Sequence, residues 1–176
     1  MTERAKIVLL CIVAAVVYGI LHDQITARVC LQYFTVFHPP VFATQSPTLL
    51  AFGWGVLATW WVGLFLGLLL ALAARAGSRP KLTAASLVGP VSRLLIVMGC
   101  CALVAGATGF ALAKYGLARE PEWMAPALAS SNYPRFLADW FAHIASYASG
   151  AVGGITLCVL QYRKRGQFAA ARQNPA

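Results

Sequence analysis

Four long uncharged apolar runs, at 7–22, 49–74, 94–113 and 140–162, constrain this chain of 176 residues more than any other feature. Crossing a hydrocarbon core of ~30 Å takes about 20 apolar residues, and every run but the first reaches that length. A backbone in lipid must satisfy its own hydrogen bonds, so such runs fold as helices. Composition agrees. The chain is 60% hydrophobic and only 11% charged, against roughly 45 to 50% and 25% in soluble domains. The expected fold is all-α: a polytopic membrane protein, a four-transmembrane-helix bundle forming one domain over 1–176. Its spans are expected at about 6–26, 48–74, 91–114 and 138–162.

The net charge of +9 would raise the question of nucleic acid in a soluble protein, but the charges cluster at helix ends. Arg4, Lys6, Arg75, Arg79, Lys81, Arg93, Arg163, Lys164, Arg165 and Arg172 fall on one side. Arg28, Lys114, Arg119 and Arg135 fall on the other, offset by Asp23, Glu120, Glu122 and Asp139. The positive-inside rule then puts both termini in the cytoplasm and the connections at about 27–47 and 115–137 in the periplasm. The expected location is the bacterial inner membrane, multi-pass, with the lipid bilayer as the main partner and no nucleic acid. Arg4 and Lys6 before a short apolar core also fit a cleaved signal peptide, but no A-x-A site follows, and a retained span is expected.

Cys11, Cys100, Cys101 and Cys158 lie within spans and Cys30 just outside one, with no C-x-x-C pair. They read as small packing residues rather than as a disulfide framework or zinc ribbon. Small residues should also set helix packing, because lipid supplies no hydrophobic drive between helices. Ser146, Gly150 and Gly154 recur at intervals of four on the last span; Gly63 and Gly67 do so on the second, and Gly106 marks the third. Residues 82–93 are expected to form a short surface helix interrupted at Gly89-Pro90, and the aromatic-rich outer connections to cap the bundle.

The first run poses a physical puzzle. Sixteen residues separate Lys6 from Asp23, giving only ~24 Å of helix. No proline occurs before Pro39, so the helix should run on past His22, Asp23, Gln24 and Arg28, leaving polar groups at the lipid boundary. Such groups turn toward protein, since facing lipid costs up to a few kcal/mol. On the last span Asp139 and His143 are four apart and share a face with Ser146 and Gly150. His22, His38, Asp139 and His143 are therefore the metal-ligand candidates, with Asp23, Gln24 and Arg28 beside them. A carboxylate one turn from an imidazole can fix its tautomer. Haem between His22 and His143 is a second option, and a structural role is a third: Asp139 paired with Arg135, His22 bonded to a backbone carbonyl, His38 an ordinary loop residue.

The run His22-Asp23-Gln24-x-Thr26-x-Arg28, then Tyr33-Phe34-Thr35, His38-Pro39, Gly53-Trp54-Gly55 and Thr59-Trp60-Trp61, resembles an uncharacterised family of small bacterial four-span integral membrane proteins. The resemblance covers the first half of the chain. It implies the topology and a bacterial source, and it carries over no activity and no catalytic residue.

No H-E-x-x-H, G-x-S-x-G, Walker loop or glycine-rich dinucleotide turn is present. The leading expectation is a membrane protein that binds a partner or ligand at its periplasmic end. The alternative is a metal- or haem-dependent redox protein or enzyme using His22, His143 and His38. Transport ranks third, because four spans need an oligomer to enclose a path. A homo-oligomer or a membrane-protein partner fits the first and third readings.

Overall fold

The computed structural model describes residues 1–173, with side chains to 170. Six α-helices and one 3₁₀ turn make up the fold, and no strand occurs among the described residues. The helices are α1 (Glu3–Val29), α2 (Leu31–Thr35), α3 (Pro47–Leu57), α4 (Trp60–Arg75), α5 (Ala84–Lys114) and α6 (Tyr133–Gln173). Three of the helices, α1, α3 and α5, start where a side chain supplies a cap. Thr2, Ser46 and Thr83 accept from Ala5 N, Leu49 N and Ser86 N, and Pro47 occupies the first turn of α3, where its missing N–H costs nothing.

Four helical segments are long and apolar enough to cross a membrane: α1, α3 with α4, α5, and α6. Their large outward side chains fit lipid. Leu9, Val13, Val17, Leu21 and Ile25 form an exposed stripe along α1, and Ile96, Val97, Leu103 and Val104 do the same on α5.

Three features depart from a reading of apolar runs alone. The first helix extends through all of its polar groups to Val29, because nothing in 22–29 breaks it. The surface helix expected at 82–93 is instead the first part of α5, which continues through Pro90. The second span is broken at Ala58–Thr59, where the Thr59 hydroxyl bonds the Gly55 carbonyl. No proline causes that break.

The bundle is built as two tight pairs. α1 packs along α3 and α4, and α5 along α6, with fewer contacts joining α1 to α5 and α4 to α6. Glycine permits the tightness. A Cβ on Gly55 would lie 2.6 Å from the backbone of Ile20, and one on Gly63 would lie 2.7 Å from the Cys11 carbonyl oxygen. Gly55→Ala should therefore destabilise by about 2 kcal/mol in detergent melts, the range for overpacking. Gly99→Ala, with open space around it, should be neutral or stabilise by up to about 1 kcal/mol through helix propensity. Equal melting temperatures for the two variants would contradict this packing.

Ile7, Cys11, Leu70, Ala74, Leu87, Val91 and Leu157 form the core at the end that holds the N-terminus. That end is also tied by polar groups. Glu3 Oε2 accepts from Ala84 N at 3.0 Å, and the fully buried Arg165 guanidinium donates to four carbonyls of the α4–α5 turn. Two smaller cores lie at the opposite end, one around Cys30, Met124, Leu128 and Phe136, the other around Ala27, Phe34, Leu50 and Ala51. Between the two ends lies a cavity.

Candidate metal centre

Extended backbone at Cys30 ends α1 (φ −143°) and sends α2 off as a separate short turn of helix. Tyr33 and Phe34 thereby come to lie against His143 of α6, with ring centroids 4.5 Å and 5.9 Å away. His22 meets His143 edge to face at 4.6 Å, and Tyr18, one turn earlier on α1, stacks on His22 at 5.8 Å. The Tyr18 hydroxyl also bonds the Ser146 hydroxyl at 2.8 Å, fixing α1 to α6 one turn from the histidines.

The tautomer of His143 follows from its neighbours. Its Nδ1 lies 2.8 Å from the Asp139 backbone carbonyl, which can only accept, so Nδ1 carries the proton and donates it. In the neutral ring Nε2 then presents a lone pair. That lone pair faces Asp23 Oδ1 at 3.4 Å. Two electron-rich atoms so placed require a proton or a cation between them. His22 Nε2 is buried beside them with no hydrogen-bond partner. One donor atom from each of His22, Asp23 and His143 falls within 4.8 Å of the others.

Asp139 adds a further uncompensated group. It is 1% exposed, and neither carboxylate oxygen has a hydrogen-bond partner. Among the described residues the ion pairs are Lys6–Glu3 and His143–Asp23, so no lysine or arginine neutralises Asp23 or Asp139. Leaving a carboxylate charged and unpaired in such a place costs several kcal/mol.

The other sequence-derived candidates are divided between two places. His38 donates from Nδ1 to the Tyr33 carbonyl at 2.7 Å and packs on Trp54 at 4.8 Å, so it lines the cavity outside the three-atom cluster. Gln24 and Arg28 are not there. Gln24 donates to the Thr48 carbonyl and Arg28 to the Thr48 hydroxyl and to Gln24, which ties α1 to the start of α3. Burial pushes the Tyr33 phenol and the Cys30 thiol upward from their ordinary values.

The cavity runs from this cluster toward the opposite end of the bundle and has a volume of about 130 Å³. Side chains from every span line it, including the small-residue stripe Ser146, Gly150 and Gly154, and Gly63. Gly150 faces Met98 of α5 and Gly154 faces Leu66 of α4 through side chains, whereas Gly63, Gly67 and Gly106 lie against backbone of a neighbouring helix. Trp54 and Tyr18 also line the site; the sequence marked Trp54 only as part of the Gly53-Trp54-Gly55 run and did not mark Tyr18. The available signal was spacing: Tyr18 precedes His22 by four residues.

Comparison with protein-family models, with curated proteins and with solved structures finds no match to the chain. The function must come from the geometry.

Proposed function

We propose that this is an integral membrane protein that binds one divalent first-row transition-metal ion through His22, Asp23 and His143, at the head of an apolar cavity. The observation that carries the reading is the 3.4 Å separation of His143 Nε2 from Asp23 Oδ1. It is too long for a strong charge-assisted hydrogen bond, but two ligands on a tetrahedral ion with bonds of about 2.0 to 2.1 Å are themselves about 3.4 Å apart. His22 offers a donor nitrogen within 4.8 Å of the other two ligand atoms, and its Nε2 has no other partner. Two imidazoles and a carboxylate suit zinc or ferrous iron rather than magnesium or calcium.

A metal ion accounts for more of the site than haem does. The His22 and His143 rings are in edge contact at 4.6 Å, which leaves no slot for a macrocycle between them. Stripped protein in detergent should take up one equivalent of Zn²⁺ or Fe²⁺ by elemental analysis after dialysis. His143→Ala should weaken uptake about 100-fold or more, since a direct ligand is worth at least as much as the 10- to 100-fold of its supporting partners. Uptake that never exceeds that of the variant would refute the reading.

The placement of the site follows from charge. Ten of the fourteen basic residues belong to the end opposite the histidines, so the termini face the cytoplasm and the metal lies near the periplasmic face of a bacterial inner membrane. Gly77→Cys should resist a membrane-impermeant thiol reagent added to intact spheroplasts and react after lysis. Labelling before lysis would invert the topology.

A further inference from the structure

An ion explains the head of the cavity but not its length. We infer that the cavity receives the chain of a neutral single-chain lipid, one whose head carries a hydroxyl or carbonyl oxygen, and that this oxygen reaches the metal site. The head of this assignment rests on the metal reading, and the chain does not.

Shape selects a single chain. On α1 the lining extends from Cys11 to Asp23, twelve residues or about 18 Å at 1.5 Å per residue. The space open to the centre of a water-sized sphere, about 130 Å³, spread over that length leaves a channel about one chain wide, too narrow for two acyl chains or a fused ring system. Its walls, among them Leu66, Met98, Gly150 and Leu157, offer water almost no hydrogen-bond partners, and an apolar space of this kind stays dry unless an apolar guest fills it.

The entrance faces lipid. Tyr147 lines the cavity and is 51% exposed, and Trp140 and Ile144 beside it on α6 are exposed as well. Farther along the helix Gly154 touches Leu66 of α4, closing the space between α6 and α4. Tyr147 therefore marks a lateral mouth on the bilayer side, through which a chain enters without crossing water.

Charge selects the head. No lysine or arginine is among the described residues that line the cavity, while Asp23 is, so a lipid carboxylate or phosphate would bring an unpaired negative charge into a buried site. A hydroxyl or carbonyl oxygen does not. Trp54 Nε1 provides independent support: this buried donor lines the cavity and has no partner, and an uncharged oxygen on the head would accept from it.

The test uses a long-chain primary alcohol carrying a mid-chain diazirine, photolysed with the purified full-length protein in nanodiscs. Crosslinks should map to cavity-facing residues of α4 and α6, and should be displaced by unlabelled alcohol but not by fatty acid or two-chain phosphatidylcholine. Ala58→Phe and Met98→Trp, both filling the cavity away from the metal ligands, should each cut labelling by about tenfold or more while metal content stays at the wild-type level. Crosslinks confined to the outer stripes of α1 and α5, or labelling indifferent to both filled variants, would overturn the inference. Displacement by fatty acid as strong as by alcohol would overturn the neutral head. Ion binding is read separately by metal content, so its absence would count against the site and not against the chain.

Discussion

Arg165→Ala is expected to be among the most destabilising substitutions outside the metal site, lowering stability by about 3 to 5 kcal/mol in detergent, as for loss of a buried charged hydrogen-bonding centre. The guanidinium donates to the carbonyls of Ala73, Ala76, Arg79 and Pro80 at 2.6 to 3.1 Å, and the residue is wholly buried. These carbonyls belong to the end of α4 and the turn after it, where a helix has no internal partners left. Alanine would leave them unpaired around a void. Lysine keeps the charge but presents a compact ammonium in place of the planar fork, so Arg165→Lys should recover only part of the loss. Thermal melts of the three proteins check this, and a melting temperature for Arg165→Ala equal to wild type would contradict the clamp.

The second large effect concerns ligand linkage. If His22, Asp23 and His143 hold an ion, saturating metal should stabilise the wild-type protein by about 2.7 kcal/mol at 100 times the dissociation constant. His22→Ala and Asp23→Asn should lose that increment. His22 Nε2 has no partner to lose, and Asp23 is paired only with His143 Nε2 at 3.4 Å, so without metal both variants should be no less stable than stripped wild type. A purely structural cluster predicts the reverse, with the variants destabilised in the absence of metal and no metal-dependent rise in any protein. The wild-type increment should also shrink on acidification, because imidazole and carboxylate must shed protons to bind metal.

The four apolar helices were legible because lipid leaves so few folds open: length and the absence of charge suffice. The approach of His22 to His143 was legible for a related reason, since polar residues at a lipid boundary turn inward and the spacing of Asp139, His143 and Ser146 aims one face of α6. The rest depended on tertiary contacts that leave no periodic trace. Nothing in the sequence distinguishes Arg165 from Arg163 or Lys164, yet it alone turns into the α4–α5 turn. The break at Ala58–Thr59 has no proline or glycine to announce it, and the bond from the Thr59 hydroxyl to the Gly55 carbonyl does not mark it either, since Thr108 and Thr156 make the same bond inside unbroken helices. Pro90 reads as an interruption, but α5 carries on through it. The α6 stripe of Ser146, Gly150 and Gly154 reads as a helix contact, and it also forms a wall of the cavity. Small residues permit close approach and open space equally, and only the neighbouring helix decides which results.

X-ray absorption spectroscopy at the metal edge of the loaded protein tests the central claim most directly, because it reports which atoms surround the ion. The proposed site predicts imidazole nitrogens and a carboxylate oxygen at about 2.0 to 2.1 Å, with multiple scattering from two rings that falls to one in His143→Ala. A first shell containing sulfur at about 2.3 Å, or one made only of oxygen and unchanged by the substitution, would place the ion elsewhere and contradict the assignment to His22, Asp23 and His143.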